Sequence, residues 1–391
     1  MMPRPTLVST LVSVLGLAAG ALVGVIACVG SPDDAANDPG CPAEHEVAAQ
    51  PDPDIAARPQ GPAAAPVEAA ETLVLSAVGD CTLGSDWDIS RAPGSFHSEL
   101  EAVGNDYRYP FSGVLDILGA DDLTIANLEG TLTTATTRTK ASLAFSGPPE
   151  FVAILKEGSV EAVNFANNHS HDFGRAGFEE TQRVLDDAGV GVFGNGRVHT
   201  VVVKGLEIVN LGFVGGVGGT RADAALAVAR HKRDDNFVIV SFHWGAEGVS
   251  VPNTDQSRLG RAVIDAGADL VLGHHPHVLQ GIEEYQGKRI VYSLGNFVFG
   301  GNSNPRDKDS MIYQEVLSLR SGKVTAAEHR ILPVRISTAT TRNDYRPVLL
   351  EGAERERVLE KVARLSAALP RAGDEGGGAS HLRLPTARRE R

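Results

Sequence analysis

The chain has 391 residues, 42% of them hydrophobic, and 49 acids against 36 Lys and Arg, for a formal net charge of −13. That acidity, with no basic cluster interleaved with aromatics, argues against nucleic acid as a main partner. Three cysteines (Cys28, Cys41 and Cys81) without a CxxC spacing rule out a disulfide-stapled scaffold and a thiolate zinc site, so any metal ligands must be oxygen and imidazole.

From Leu7 to Val29 there is no charged residue, and Arg4 precedes the run. It reads as a secretory signal or a single membrane anchor. Its end, Val25-Ile26-Ala27-Cys28, resembles the lipobox of bacterial lipoproteins, in which the cysteine is acylated; Cys28 is thus a lipidation candidate and 1–28 a lipoprotein signal peptide or anchor. Both readings put the remainder outside the cytoplasm and tethered to a membrane. Residues 31–66 hold eight Pro, ten Ala and seven acids against one Arg, too little apolar surface to offset chain entropy. The segment 29–70 is therefore expected to be a disordered tether. Cys41 lies inside it, with a disulfide to Cys81 or an idle thiol as the alternatives.

Between 71 and about 370, β-prone runs recur, and each ends in a polar or glycine-rich cluster. Leu73–Val78 ends in Gly-Asp80-Cys-Thr, Leu123–Ala126 in Asn-Leu-Glu129-Gly, and Val160–Ala166 in Asn-Asn168-His169. Glu207–Val214 runs into two glycines and Phe237–Phe242 into His243-Trp-Gly. Asp269–Leu272 leads to Gly-His-His275-Pro-His277, and Arg289–Tyr292 to Ser-Leu-Gly-Asn296-Phe. Helix-compatible segments fall between them at Ser112–Leu118, Pro148–Glu157, Arg175–Ala188 and Asp255–Ala266. This alternation is the signature of an α/β domain, whose strand ends converge on one edge.

The stretch Ala162–Gly174 carries the densest chemistry: two amides, two imidazoles and a carboxylate lie between Asn167 and Asp172. Asp80 and Glu129 offer anionic oxygens, Asn168 a neutral one, and His243, His275 and His277 imidazoles. Such a mixed set suits one or two ions of Mn, Fe or Zn. His275 and His277 are expected on one side of an extended segment. His169, beside Asn168, suits a general acid. Asp172 either orients it or caps the following helix. Lys140 and Arg138 either meet an anionic substrate or belong to a solvated loop, and Asn296 stands at a strand end where it could complete the pocket. His274 is expected to pack or hydrogen-bond, His171 to lie at the surface, and Cys81 to be a core thiol.

Taken together, Gly79–Gly84, Asn127–Gly130, Ala166–Asp172, His243–Gly245, Gly273–Val278 and Ser293–Phe297 resemble the CapA/PgsA family of bacterial capsule and poly-γ-glutamate synthesis proteins, within the calcineurin-like metallophosphoesterase superfamily. The resemblance spans about 72 to 335. It implies a four-layer α/β sandwich over 71–335, and a membrane-attached accessory protein that meets an anionic polymer such as poly-γ-glutamate beside ligase or export subunits. By motif, Asp80, Glu129, Asn168, His243, His275 and His277 match metal ligands and His169 the acid/base histidine. Two departures stand out: Thr82 replaces the histidine of the superfamily's Asp-x-His, and Asn127-Leu128-Glu129 replaces its Gly-Asp-x-x-Asp. The implied chemistry is metal-assisted hydrolysis of a phosphoester or amide; the rival reading is a non-catalytic polymer-binding subunit.

Beyond the domain, 336–370 forms an extension in which Val358, Val362, Leu365 and Leu369 line one helical stripe. Residues 371–391, rich in Gly and Arg, read as a disordered tail.

Overall fold

The computed structural model describes residues 70–369 except 217 and 218. The leader, its Cys28, the 29–69 part of the tether with Cys41, and the 371–391 tail lie outside the described residues. In chain order the strands and helices are β1 (Glu71–Thr82), β2 (Ser85–Asp86), α1 (Phe96–Ala102), α2 (Leu115–Leu118), β3 (Leu123–Leu128), β4 (Thr131–Leu132), β5 (Phe145–Gly147), α3 (Val152–Glu157), β6 (Ala162–Asn164) and α4 (Gly174–Ala188). Then come β7 (Gly191–Phe193), β8 (His199–Val203), β9 (Leu206–Val214), α5 (Thr220–His231), β10 (Asn236–His243), α6 (Thr254–Asp265) and β11 (Leu270–His274). The chain continues through β12 (Ile282–Tyr285), β13 (Lys288–Val291), β14 (Asn296–Phe299), β15 (Asp309–Arg320), β16 (Lys323–Arg335), β17 (Val348–Leu349) and α7 (Gly352–Ala367).

Two sheets make the frame. The larger runs β17-β16-β15-β1-β3-β6-β7 with β14 also paired to β1; the smaller runs β12-β13-β11-β10-β9-β8. Period-two alternation assigns their faces. In β1, Leu73, Leu75 and Ala77 join Ile239 of β10 and Leu272 of β11 in one apolar layer between the sheets. Val78 and Cys81 of β1 instead meet Phe96, Leu100, Ile154 and Leu185 from α1, α3 and α4. On the far side of the smaller sheet, Val238, Val240 and Phe242 pack on Ala224 and Val228 of α5 and Val263 of α6. The order is helices, sheet, sheet, helices: the expected four layers.

Local differences have physical causes. The apolar run Val160–Ala166 is extended only over Ala162–Asn164, because the Asn164 side chain turns back to bond the Ala166 backbone, with the Ala166 N–H donating to its Oδ1 at 3.2 Å. The helices expected at 112–118 and 148–157 shorten to α2 and α3, and 3₁₀ turns at Tyr109–Phe111 and Pro149–Phe151, each holding a proline, precede them. The 336–370 extension is joined to the large sheet through β17, which pairs Val334 with Leu349, and α7 buries Val358 and Val362 in the layer between the sheets. Among the described residues no helix is long and apolar enough to cross a membrane.

Candidate metal centre

Parallel strands of both sheets deliver their polar ends to one edge. A bulge decides what β1 delivers. Ala77 pairs with Ile125 but Asp80 with Asn127, three residues against two, so Asp80 regains the face that Ala77 occupies. Gly79 makes this approach feasible, since a Cβ there would sit 2.1 Å from the Gly295 carbonyl oxygen. Asp80 is fully buried. Its Oδ1 accepts from Asn127 Nδ2 at 2.8 Å, its Oδ2 lies 3.0 Å from His277 Nδ1, and the His275 N–H donates to Oδ2 at 3.2 Å.

Glu129 stands at the centre. It follows β3, is fully buried, and neither carboxylate oxygen has a hydrogen-bond partner. Around its Oε1 are the Nε2 atoms of His243 at 3.6 Å, His277 at 3.7 Å and His169 at 3.8 Å. A buried carboxylate left without donors is costly unless a cation faces it. The same cluster leaves His275 Nδ1 and His277 Nδ1 without a hydrogen bond. Two ligand triads, Glu129-His243-His275 and Asp80-Glu129-His277, each hold their donor atoms within 4.8 Å of one another. His243 Nε2 also lies 2.7 Å from Asn168 Oδ1. Orphaned buried oxygens and nitrogens of this chemistry fit a divalent ion of the Mn, Fe or Zn type. The six residues expected as ligands are thus brought together.

Burial pushes the Glu129 carboxyl well above its ordinary range, with Asp80, Glu247 and Asp172 adding to the rise against the opposing His277. Burial also opposes ionisation of Asp80, but the His274 and His277 imidazoles beside it carry it well below the usual carboxylate range. Burial holds His243 and His275 below the usual imidazole value. Burial opposes the charge on His277 too, yet Glu129 and Asp80 lift it to about 9.

One expectation about this segment is corrected. His275 and His277 are not in an extended stretch: their φ angles are 94° and 57°, in the left-handed region. Both rings reach the cluster, with centroids 5.9 Å apart, through a turn around Pro276. His274 is buried with its Nδ1 3.4 Å from Asp80 Oδ1.

Beside the cluster, His169 Nδ1 is 2.6 Å from Asp172 Oδ2. Asp172 does not cap α4, whose N-cap position is Phe173 without a side-chain cap bond. Its second oxygen is ion-paired with Lys140 at 2.9 Å, and Lys140 also donates to the Asn168 carbonyl at 2.9 Å. Lys140 therefore braces the dyad instead of standing free for a substrate, and Arg138 pairs with Asp88 at 2.8 Å. Phe145 of β5 stacks on the His169 ring with centroids 4.2 Å apart and donates its backbone N–H to Asp172. His171 is exposed against Phe178, and Cys81 is a buried free thiol pushed up to about 12 by burial. Asn296 donates to the His277 carbonyl at 3.2 Å and keeps its Oδ1 buried without a partner. A cleft of about 570 Å³ opens from His169, His277 and Asn296 toward Phe299 and Arg306.

Sequence reasoning missed three contributors. Asn127 bridges Asp80 and the Asn164 and Asn167 amides; Phe145 covers His169; Glu247 reaches the histidine turn. Only Asn127 had a local signal, its place at a strand end two residues before Glu129.

The model for the bacterial capsule synthesis protein family PGA_cap matches residues 74–301, over half of the chain and all the strands that build the cluster. The chain belongs to this family. It is 31% identical over 278 residues to the PGA biosynthesis protein CapA of Bacillus subtilis, covering 65% of this chain and 71% of that one. It is 27% identical over 273 residues to a probable polyglutamine synthesis accessory protein of Mycobacterium tuberculosis, covering 59% and 71%. Among solved structures, a phosphatase of Mycoplasma pneumoniae aligns with a TM-score of 0.41 at 13% identity, over 68% of this chain and 95% of that one. For this PGA_cap protein the motif succession noted above coincides with the matched span.

Proposed function

We propose that this protein is a metal-dependent hydrolase of capsule polymer synthesis, acting on a phosphoester or amide bond outside the cytoplasm while tethered to the membrane through its leader. The observation that carries the proposal is Glu129, buried, without a donor to either oxygen, and ringed by three imidazoles. Asp80, Glu129, Asn168, His243, His275 and His277 would hold one or two ions. A bound divalent ion supplies Lewis-acid charge that polarises a phosphoryl or carbonyl oxygen and activates water.

The chain's own residues supply the rest. Asp172 accepts from His169 Nδ1–H and thereby leaves Nε2 facing the cluster and the cleft, the nitrogen from which a proton would pass to a leaving group. Lys140 neutralises the outer side of Asp172, and Phe145 keeps water off one face of the His169 ring. The polymer implied by the resemblance, poly-γ-glutamate, is anionic, and the exposed Arg306 on the cleft wall would supply a cation for its carboxylates.

The replacement of the motif histidine by Thr82 favours a second reading, a polymer-guiding subunit of a ligase or export complex that binds without turnover. Metal analysis of the full-length protein in detergent, paired with hydrolysis assays on a phosphodiester and on poly-γ-glutamate, separates the two. The hydrolase predicts bound metal and turnover, with turnover abolished and metal kept in His169→Ala. Metal with polymer binding but no turnover supports the guiding subunit, and no metal after reconstitution sinks the catalytic reading.

A further inference from the structure

Glu247 lies outside every motif and outside the ligand set above. Its carboxylate belongs to the loop after β10, which turns through left-handed glycines on either side, Gly245 at φ 85° and Gly248 at φ 72°. That loop is fastened to the histidine turn. The Gly248 N–H donates to the Pro276 carbonyl at 2.8 Å, Trp244 N–H to His274 O at 3.0 Å, and Gln280 Nε2 to Val249 O at 2.7 Å. The fastening holds a Glu247 oxygen, a His275 nitrogen and a His277 nitrogen within 4.8 Å of one another. Glu247 is exposed and has no Lys or Arg ion pair among the described residues.

The three triads share members pairwise: His275 is common to this one and the Glu129-His243 set, and His277 to this one and the Asp80-Glu129 set. Two imidazoles and a carboxylate form a donor set for Mn, Fe or Zn that leaves coordination positions open. The inner cluster is also one ligand short of the set that the resemblance implies. Thr82 brings a buried hydroxyl with no partner where an imidazole ligand is expected. Glu247, His277 and Pro276 all line the 570 Å³ cleft, so an ion there would face whatever occupies it.

We propose that Glu247, with His275 and His277, completes an outer divalent-cation position at the mouth of the cleft, replacing the ligand lost at Thr82. The inference rests on the reading of the inner cluster as a metal centre. The outer ion, held by an exposed carboxylate, binds more weakly than the inner one, whose Glu129 is fully buried.

The test is a calorimetric titration of full-length, metal-stripped protein in detergent with manganese(II), with metal content measured after dialysis. The wild type is expected to take two ions of unequal affinity. Glu247→Gln, an exposed and nearly isosteric change, is expected to keep the tighter ion and weaken the other at least tenfold. A Glu247→Gln isotherm that superimposes on the wild type overturns this inference alone, as does a wild type that binds one ion. A wild type that binds none overturns it together with the metal-centre reading.

Discussion

His169 Nδ1 lies 2.6 Å from Asp172 Oδ2, and the opposite nitrogen of the same ring lies 3.8 Å from Glu129 Oε1. One imidazole thus joins a buried carboxylate that orients it to the carboxylate at the centre of the candidate metal cluster. Asp172→Asn keeps the shape and removes the charge that selects the Nδ1–H tautomer. In the hydrolase reading its turnover falls by about 10²-fold or more, the scale of general-acid catalysis, with metal content unchanged. Turnover and metal content measured on the same preparation check this; loss of metal would move Asp172 from the dyad into the metal cluster.

Metal uptake should be visible as stability. A ligand that binds only the folded chain at 100 times its Kd raises stability by about 2.7 kcal/mol. Manganese(II) is therefore expected to raise the melting temperature of the wild type by several degrees and that of His275→Ala by much less. His275 offers a nitrogen to two of the three ligand triads, so its loss weakens both. Equal shifts in the two proteins would place the stabilising ion elsewhere.

The α/β class was legible because β-prone runs ending in polar clusters alternate with helix-compatible segments, whereas the four layers were implied only by the resemblance and show in the faces of β1 and β10. The candidate cluster was legible because each of its residues sits at a strand end. Two things were not. The bulge between Ala77 and Asp80 shifts the face of a residue without any mark in composition, and Gly79 shows its purpose only beside the Gly295 carbonyl. Glu247 and Phe145 act through loops and a small sheet, β2-β5-β4, whose placement is set by tertiary hydrogen bonds instead of periodicity.

Gly79→Ala tests that close approach. The added Cβ would meet the Gly295 carbonyl oxygen at 2.1 Å and its carbon at 2.9 Å, both backbone atoms in a buried strand pair that cannot swing aside. Overpacking of this kind costs about 1–3 kcal/mol or more, and any relief by parting β1 from β14 moves Asp80 away from its Asn296 neighbour. The expected outcome is a lower melting temperature together with weaker metal binding. Wild-type values in both measurements would mean that the close approach of Gly79 to Gly295 is not needed to place Asp80.

The last prediction concerns how α7 is held. Asp309, at the start of β15, receives two guanidinium bonds from Arg357 at 2.8 and 2.7 Å and one from Lys361 at 2.9 Å. Burial raises the Asp309 carboxyl, but these hydrogen bonds outweigh it and hold the pKa below its ordinary value. A depressed acid stabilises the fold above the unfolded pKa, about 3.9, and that contribution is lost as pH falls through the folded value below it. Asp309→Asn is therefore expected to cost about 1–2 kcal/mol at pH 7, less than a fully buried pair because Arg357 is half exposed. The gap between variant and wild type should hold from pH 7 to about 5 and close as pH falls below about 4. Denaturant unfolding at several pH values measures it, and a gap that widens on acidification would show that Asp309 is not the charge that clamps the helix.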